Sequence, residues 1–557
     1  MLEKAFIWFT AFFAVLSVIG ILLGYAGLLS FGTSIAGIVL GLVVATVLAG
    51  KFSSQPVKEW KRFALLFIIL GALLVWVSLP SGIFPVTCSD LMNHAAAVRV
   101  NAKTGHFDPN VTGISSFIPG VYVHAYPQIY LGTASMLYHA LPNTYTMNTL
   151  LMLAFTLLSV LGLFLVARRL FDERIAFGAA FIGGFSITLW HALEAGFGPQ
   201  LMGQFFAVAA LFLFVSSPSS KGLRVLSFAG MLAYPPIYMA YGVFVFAYHF
   251  LARVPRMQTL EHFALMLAGG ILVFQEFAGL LLKWFFTPEG IVHLLIVRGG
   301  IKVPPAPLLM FLAFILIGLA LRKSKHKALP VPLAFGVSLG MVMVASAAYF
   351  GFNMLIGIPG IAEKQVHQLY LAVKFVYLAF LFPFSVFLSL LCAQIAGRYG
   401  NRAKHVLVIL GVAYLAYFAG YAFVLAGNQS YPHGFYAVAE KLDTLEPPFS
   451  VGVDPVLLQT TYVKDPLLYR SLDDLSKPEV IPSACRQFQV GRTLKFYWAQ
   501  HAFDKNAFPI VVNAQGHQVV FEGMQGADYY ITESPGLSYP VVFKDGGVFV
   551  YDLRESA

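Results

Sequence analysis

The stretch that decides the fold reads AFIWFTAFFAVLSVIGILLGYAGL, residues 5–28. It contains no charged side chain and exceeds the ~20 apolar residues that an α-helix needs to cross a bilayer. Because no clear small-residue cleavage site precedes the next apolar run, we interpret it as a membrane span and not as a cleaved signal peptide. Long continuous runs of this kind also exclude a transmembrane β-barrel, whose strands alternate polar and apolar residues.

The same character extends over most of the chain, which has 557 residues, of which 58% are hydrophobic and 11% are charged. Soluble domains contain about 25% charged residues, and a mean hydropathy of +0.76 exceeds what one water-soluble core of this length can hold. Three cysteines exclude a disulfide-rich secreted scaffold. We therefore predict a polytopic α-helical membrane protein, whose net charge of +10 fits basic cytoplasmic loops better than nucleic-acid binding.

Apolar runs of sufficient length predict about thirteen spans. They make residues 1–427 a transmembrane domain that contains one long external loop, 80–145. The spans lie near residues 5–28, 31–50, 61–79, 146–167, 175–193, 200–216, 223–233, 236–252, 262–286, 306–321, 330–350, 366–396 and 405–427.

Basic residues orient these spans, since Lys and Arg concentrate in cytoplasmic loops. All the basic groups lie on one side only if 127–141 is too short to cross and 223–252 is a hairpin that turns at Tyr234-Pro235-Pro236. The N-terminus is then cytoplasmic, and the C-terminal part is extracytoplasmic. The groups are Lys51–Arg62, Arg168–Arg174, Lys221–Arg224, Arg253–Arg256, Arg322–Lys327 and Arg398–Lys404.

The chain changes character after about residue 428, where Asp, Glu, Pro and Lys become frequent. We predict an extracytoplasmic α/β domain over 428–557, which is long enough to fold alone. Cys88 and Cys485 both lie outside the cytoplasm, either as a disulfide between this domain and the long loop or as two free thiols. The domain is predicted to hold a helix at 435–445 and strands at 508–512, 518–521, 528–532 and 547–551, the first an edge strand because of its proline.

The most informative segment follows the third span and reads CSDLMNHAAAVR, residues 88–99. If it forms a helix at the membrane surface, Asp90 and His94 share a face because they are four residues apart. Asp90 alone also fits a helix N-terminus, where a carboxylate accepts from free backbone N–H groups. The loop continues with GHFDP at 105–109 and HAYPQIY at 124–130.

This order of an Asp-x3-His helix, a loop and a helix that opens at Tyr126-Pro127 resembles the first external loop of the GT-C superfamily of membrane glycosyltransferases. It is most similar to the bacterial members that use polyprenyl-phosphate sugars. The GFGP turn at 196–199, the prolines at the hairpin tip and the late segment QLYLAVK at 368–374 are also similar to that family. The loop begins with one Asp where better-known branches have an adjacent acidic pair, which leaves metal use and the branch open.

The resemblance implies an inverting hexosyl- or pentosyltransferase with Asp90 as general base. The donor would be a polyprenyl-monophosphate sugar, and the acceptor a cell-envelope glycan or a lipid-linked acceptor. The chemistry agrees, because an acceptor hydroxyl needs a base, whereas a leaving phosphate needs positive charge and no general acid. The candidate ligands of the donor phosphate are Lys374, Arg298, Lys302 and His94, and the candidate substrate-binding residues are His191, Glu194 and Tyr126.

Several of these residues have a second interpretation. Arg298 and Lys302 fit contacts with lipid headgroups equally well. Lys374 lies in an apolar run, where an ionisable residue is usually functional, although near the outer end its side chain could extend to the interface instead. His191 and Glu194 fit a role in ordering their loop better than a role in catalysis. Glu276 also lies inside a span, without an assigned role. A metal cluster of Asp90, His94 and His124 lacks the spacing of known structural zinc sites, and a divalent cation shared by Asp90 and a phosphate is an open alternative.

The alternative function is a transporter or flippase of a lipid-linked glycan. Such folds often have internal repeats and polar residues near the bilayer midplane. This chain has no recognisable repeat, and its polar residues gather outside the bilayer, which favours the enzyme. Either way the sequence predicts a multi-pass cell-membrane protein that contacts membrane lipids and no nucleic acid.

Overall fold

The computed structural model describes residues 1–58, 60–78, 94, 98, 101–102, 104–107, 128–141, 144–194, 198–216, 221–274, 333–334, 336–337, 370–428, 451–453, 520–522, 524, 526–532, 534–545 and 547–554. Within this part, five helical segments are long and apolar enough to cross a membrane. The protein therefore has the multi-span helical architecture that its composition predicts. The total of about thirteen spans remains a sequence prediction, since 306–321 and most of 330–350 lie outside the described residues.

Twelve helical elements have both of their ends among the described residues. The last of them is two helices joined at Gly400, whose φ of 65° and ψ of −145° are not helical; the join falls between the spans predicted at 366–396 and 405–427. The elements are α1 (Leu2–Ala26), α2 (Phe31–Lys51), α3 (Trp60–Ser78), α4 (Gln128–Tyr138), α5 (Thr144–Leu170), α6 (Glu173–Gly184), α7 (Ile187–Glu194), α8 (Gly198–Ser216), α9 (Lys221–Met231), α10 (Pro235–Leu251), α11 (Arg256–Leu272) and α12 (Tyr370–Asn428).

One end of the helix bundle joins three basic segments through ion pairs. The buried carboxylate of Glu3 accepts from Arg168 at 3.3 Å and from Arg169 at 2.8 Å. Arg168 also pairs with Glu173 at 3.2 Å and donates to the carbonyl of Pro56. The start of α1, the α2–α3 loop and the α5–α6 junction therefore meet, and we call this the basic end (Glu3, Arg168, Arg169 and Glu173).

The segment 223–252 is a hairpin of two short helices, as the sequence predicts. The turn after α9 leads into Tyr234, the N-cap of α10, with proline at the first helical positions. The start of α9 and the end of α10 both reach α11, through Lys221–Glu261 at 2.8 Å and through His249 Nδ1 and Thr259 Oγ1 at 2.7 Å. The two open ends of the hairpin therefore lie together, as the proline pair predicts.

Ring and backbone contacts place α8 and α12 relative to the basic end. The rings of Phe52 and Phe212 lie 6.0 Å apart, so α8 ends beside the α2–α3 loop. The Ser389 hydroxyl donates to the carbonyl of Ile175 at 2.9 Å, close to the start of α6. The described basic groups therefore gather at one end of the bundle, as the charge pattern predicts; Arg322–Lys327 lies outside the described residues.

The opposite end carries the α1–α2 turn and residues of the predicted external loop. The N–H of Leu29 donates to Gly105 at 2.9 Å, and the N–H of Phe107 donates to Gly24 at 3.1 Å. The Phe107 ring meets Tyr25 edge to face at 5.1 Å. We call this the loop end (residues 27–29 and 104–107).

Helix α4 lies at the loop end and is too short to cross a membrane. Its 11 residues span about 16 Å, half of the ~30 Å hydrocarbon core. His139, which follows α4, lies 6.4 Å from the Phe31 ring at the start of α2. The sequence prediction that 127–141 is too short to span is therefore confirmed for the described residues of this segment.

The contact between α1 and α4 depends on two facing glycines. A Cβ built on Gly20 would lie 2.7 Å from the carbonyl carbon of Gly132. We therefore expect Gly20→Ala to destabilise the fold by about 1–3 kcal/mol, since added volume in a packed interface forces the backbones apart. Thermal unfolding in detergent measures this. Gly411→Ala is the control, because a Cβ at Gly411 meets nothing within 4 Å; equal effects of both substitutions would contradict the prediction.

The span predicted at 175–193 is broken into α6 and α7. Glycine weakens a helix, and two glycines end α6. The carbonyl of Gly184 accepts from the indole N–H of Trp190 at 2.9 Å, and the carbonyl of Phe185 accepts from the hydroxyl of Tyr414. Both bonds satisfy backbone groups that the break frees, as the apolar interior of a membrane requires.

The C-terminal residues form a five-stranded sheet in the order β2-β1-β3-β5-β4. Strand β1 pairs in parallel with β2 and β3, whereas β5 pairs antiparallel with β3 and β4. The strands predicted at 518–521, 528–532 and 547–551 correspond to β2, β3 and β5, whereas β1 and β4 are not predicted. The predicted strand 508–512 and helix 435–445 lie outside the described residues. The strands are β1 (Val451–Val453), β2 (Val520–Glu522), β3 (Tyr529–Thr532), β4 (Val541–Asp545) and β5 (Val548–Asp552).

An ion pair follows strand β5 and contacts strand β3. Arg554 Nη2 lies 2.7 Å from Asp552 Oδ2, and the guanidinium stacks over Tyr529 at 4.5 Å. The hydrogen bond to Asp552 raises the pKa of Arg554 above its usual value. The pair therefore stays ionised and holds the chain after β5 against β3.

Candidate functional site

His94 is the predicted site residue whose side chain the structure describes. Lys374 lies near the start of α12, and His191 and Glu194 lie in α7; only the backbone of these three is described. The remaining predicted residues lie outside the described part of the chain: Asp90, Tyr126, Arg298 and Lys302, together with Cys88, His124, Glu276 and Cys485.

Residues 94, 98, 101, 102 and 104, the first described positions after Asp90, are helical. His94, Val98 and Asn101 are all buried, and His94 is only 4% exposed. Their spacing places them on one helix face, and this face packs on α4. The His94 ring lies 5.6 Å from the Tyr130 ring, and the Ser135 hydroxyl lies 3.2 Å from the carbonyl of Val98.

A buried hydrogen bond joins α4 to α5. The hydroxyl of Tyr130 donates to Asn148 Oδ1 at 2.8 Å, and both side chains are fully buried. A Cβ on Gly198 would lie 2.5 Å from the Tyr130 oxygen, so the glycine that starts α8 leaves room for the phenol. We call His94, Asn101, Tyr130 and Asn148 the polar layer; it brings α4, α5 and α8 together near the loop end.

Three amide atoms, one in this layer and two on α8, are buried without a hydrogen-bond partner among the described residues. They are Nδ2 of Asn101, Oε1 of Gln200 and Oε1 of Gln204. A buried polar atom without a hydrogen bond costs about 1–3 kcal/mol. Native proteins therefore keep few of them, and those that remain call for a functional explanation.

Sequence reasoning did not assign Tyr130, Asn148, Asn101 or either glutamine to the site. Tyr130 ends the quoted run HAYPQIY, and its partner Asn148 becomes apparent only when α4 folds against α5. Gln200 and Gln204 offered a usable signal, because they are polar residues inside the predicted span 200–216. Polar side chains at membrane depth usually face the protein interior or a functional cavity.

The described residues contain no group of three His, Cys, Asp or Glu side chains that could hold a metal ion. Asp90 and His124, two members of the cluster considered from the sequence, lie outside them. The divalent-cation alternative therefore stays a prediction.

No protein-family model matches the chain, and no curated protein sequence matches it significantly. ArnT from Cupriavidus metallidurans, solved bound to undecaprenyl phosphate, is 14% identical with a TM-score of 0.42, over 89% of this chain and 98% of that chain. The archaeal oligosaccharyltransferase AglB from Archaeoglobus fulgidus, in complex with an inhibitory peptide and a dolichol-phosphate, is 13% identical with a TM-score of 0.38, over 71% of this chain and 62% of that chain. The similarity is too distant to assign a role to any residue of this chain.

Proposed function

We propose that this protein is an inverting glycosyltransferase of the cell membrane. It moves a sugar from a polyprenyl-monophosphate donor to a cell-envelope glycan or lipid-linked acceptor on the extracytoplasmic face. The observation that supports the proposal is the polar layer, in which the buried His94 ring lies 5.6 Å from Tyr130, whose hydroxyl donates to Asn148; Asp90 precedes His94 by four residues in the sequence. The layer lies towards the loop end, opposite the basic end, and basic loops are cytoplasmic by the positive-inside rule.

Asp90 is the proposed general base. Asp90 precedes His94 by four residues, so the two side chains would share one face of a helix that contained both. Its carboxylate takes the proton of the acceptor hydroxyl while that oxygen attacks the anomeric carbon of the donor sugar. The bond from the anomeric carbon to the phosphate oxygen breaks, and the polyprenyl phosphate leaves with the electron pair. A single attack from the opposite side inverts the anomeric centre.

Positive charge stabilises the leaving phosphate in this mechanism. Lys374, Arg298 and Lys302 remain the proposed ligands, since a basic side chain binds a phosphate oxygen with a charge-assisted hydrogen bond. The burial of His94 against Tyr130 favours a positioning role for this residue over direct contact with the phosphate. The domain predicted at 428–557 is proposed to help bind the acceptor.

The experiment uses the full chain in proteoliposomes with a polyprenyl monophosphate that carries a radiolabelled hexose or pentose. The acceptor is the glycan and lipid fraction from the envelope of a strain that lacks the gene. We expect label to pass to the acceptor with inverted anomeric configuration. Movement of the labelled donor across the bilayer without transfer would instead support the transporter, and a cytoplasmic location of residue 90 by tag insertion would contradict the proposed face.

A further inference from the structure

Two glutamines on α8 are buried in a way that packing alone does not explain. Gln200 is 1% exposed and Gln204 is 2% exposed. In the part of the chain that the structure describes, the amide oxygen of each has no hydrogen-bond partner. An apolar side chain of similar size would fill the same space without this desolvation cost, so a purely structural role is a poor explanation.

The positions of the two amides connect them to the candidate site. They are four residues apart and therefore lie one above the other on one face of α8. Gly198, two residues before Gln200, packs on Tyr130 of the polar layer. Gly203 packs on the hairpin turn, since a Cβ there would lie 2.9 Å from the Cβ of Tyr234. The two amides therefore occupy the stretch of α8 that runs from the polar layer to the tip of the α9–α10 hairpin.

The two carboxamide groups are suited to a ligand that carries hydroxyl groups. A carboxamide is neutral and offers both donors and an acceptor, which matches hydroxyl groups and gives no charge to stabilise a phosphate. Two amides one helical turn apart can bind neighbouring hydroxyls of one ring. We infer that Gln200 and Gln204 bind the hydroxyl groups of a sugar in the transfer reaction, an inference that rests on the proposed function.

The same hydroxyl chemistry belongs to the donor sugar and to a glycan acceptor, and binding measurements separate the two. The probes are a polyprenyl phosphate without a sugar and the same lipid with its sugar, titrated into the full chain in nanodiscs. The variants are Gln200→Met, Gln204→Met and the double substitution. The matched control is Gln258→Met, an exposed glutamine near the start of α11.

If the pair binds the donor sugar, the wild type binds the sugar-bearing lipid more tightly than the bare lipid. In each single variant the affinity for the sugar-bearing lipid falls about tenfold, as expected for one lost hydrogen bond. The affinity for the bare lipid is unchanged. If the pair binds the acceptor instead, the variants bind both lipids as the wild type does. The KM for the acceptor glycan then rises by a similar factor. Both results support the inference.

The unfolding temperature separates ligand binding from a structural role. If the two glutamines served only to stabilise the fold, the methionine variants would unfold at a lower temperature than the wild type. Since the two amide oxygens have no hydrogen-bond partner to lose among the described residues, the methionine variants are expected to unfold at the same temperature as the wild type or higher. A lower unfolding temperature with unchanged donor affinity and acceptor KM would overturn the inference and leave the proposed function intact. A wild type that binds neither lipid and transfers no sugar would overturn both.

Discussion

Asp90→Asn is expected to lower the rate of sugar transfer by about 10²–10⁴-fold, the usual contribution of a general base. Asparagine has nearly the same shape as aspartate, but its amide cannot accept the proton of the acceptor hydroxyl. Donor affinity should change little, because the proposed phosphate ligands are cations. The measurement is the initial rate of transfer together with the KM for the donor, so that kcat falls while KM stays near its wild-type value.

The matched control for this variant is Asp108→Asn, which removes a second carboxylate from the same predicted loop. It should leave kcat within a small factor of the wild type. Both variants should unfold at the wild-type temperature, which separates loss of chemistry from loss of fold. Full activity of Asp90→Asn would remove Asp90 from the mechanism, and a similar loss in both variants would indicate an effect of loop charge.

Glu3→Ala is expected to give the largest loss of stability, about 3–5 kcal/mol, which is typical when one partner of a buried ion pair is removed. Glu3 is 0% exposed and meets both Arg168 and Arg169. Without it the two guanidinium groups remain at the basic end with less negative charge to balance them. The change in unfolding temperature and the yield of monodisperse protein in detergent measure this loss.

The control for Glu3→Ala is Glu261→Ala. Glu261 pairs with Lys221 at a similar distance, 2.8 Å, but the side chains are 45% and 63% exposed. Exposed pairs contribute little because water and salt screen them, so this variant should unfold like the wild type. Equal losses in the two variants would show that burial does not determine the strength of these pairs.

Much of the helical architecture could be predicted from the sequence, because its causes are local. Apolar runs predict α1, α2, α5 and α8, and the length of α4 is enough to show that it cannot cross. The proline pair after Tyr234 predicts the hairpin, and the positive-inside rule predicts that the basic groups gather at one end. Each of these inferences needs only a few neighbouring residues and the thickness of a bilayer.

The features that the sequence did not predict depend on contacts between distant parts of the chain. The break between α6 and α7 is stabilised by Tyr414, more than two hundred residues away in sequence. Strand β1 is only three residues long, and its place between β2 and β3 comes from parallel pairing with segments far along the chain. Strand β4 follows a proline and contains a register shift, so its local pattern is weak.

The candidate site also contains residues that the sequence predicts and residues that only the folded structure brings together. Asp90 and His94 could be proposed from their spacing in one segment. Tyr130 and Asn148 could not, because they come from two helices that meet only after folding. Gln200 and Gln204 were visible as polar residues in an apolar run. They are informative because their amide oxygens are buried without a hydrogen-bond partner in the part of the chain that the structure describes.

The junction of α6 and α7 has a mechanical consequence. Its carbonyls at Gly184 and Phe185 are held by the side chains of Trp190 and Tyr414, so tilting one half against the other stretches side-chain contacts and spares the backbone ladder of each helix. At this break the bundle is therefore held together by side chains and not by a continuous backbone ladder. The ring of Trp190 in α7 also lies 4.5 Å from Phe418 of α12, so α7 is coupled to α12 at this break.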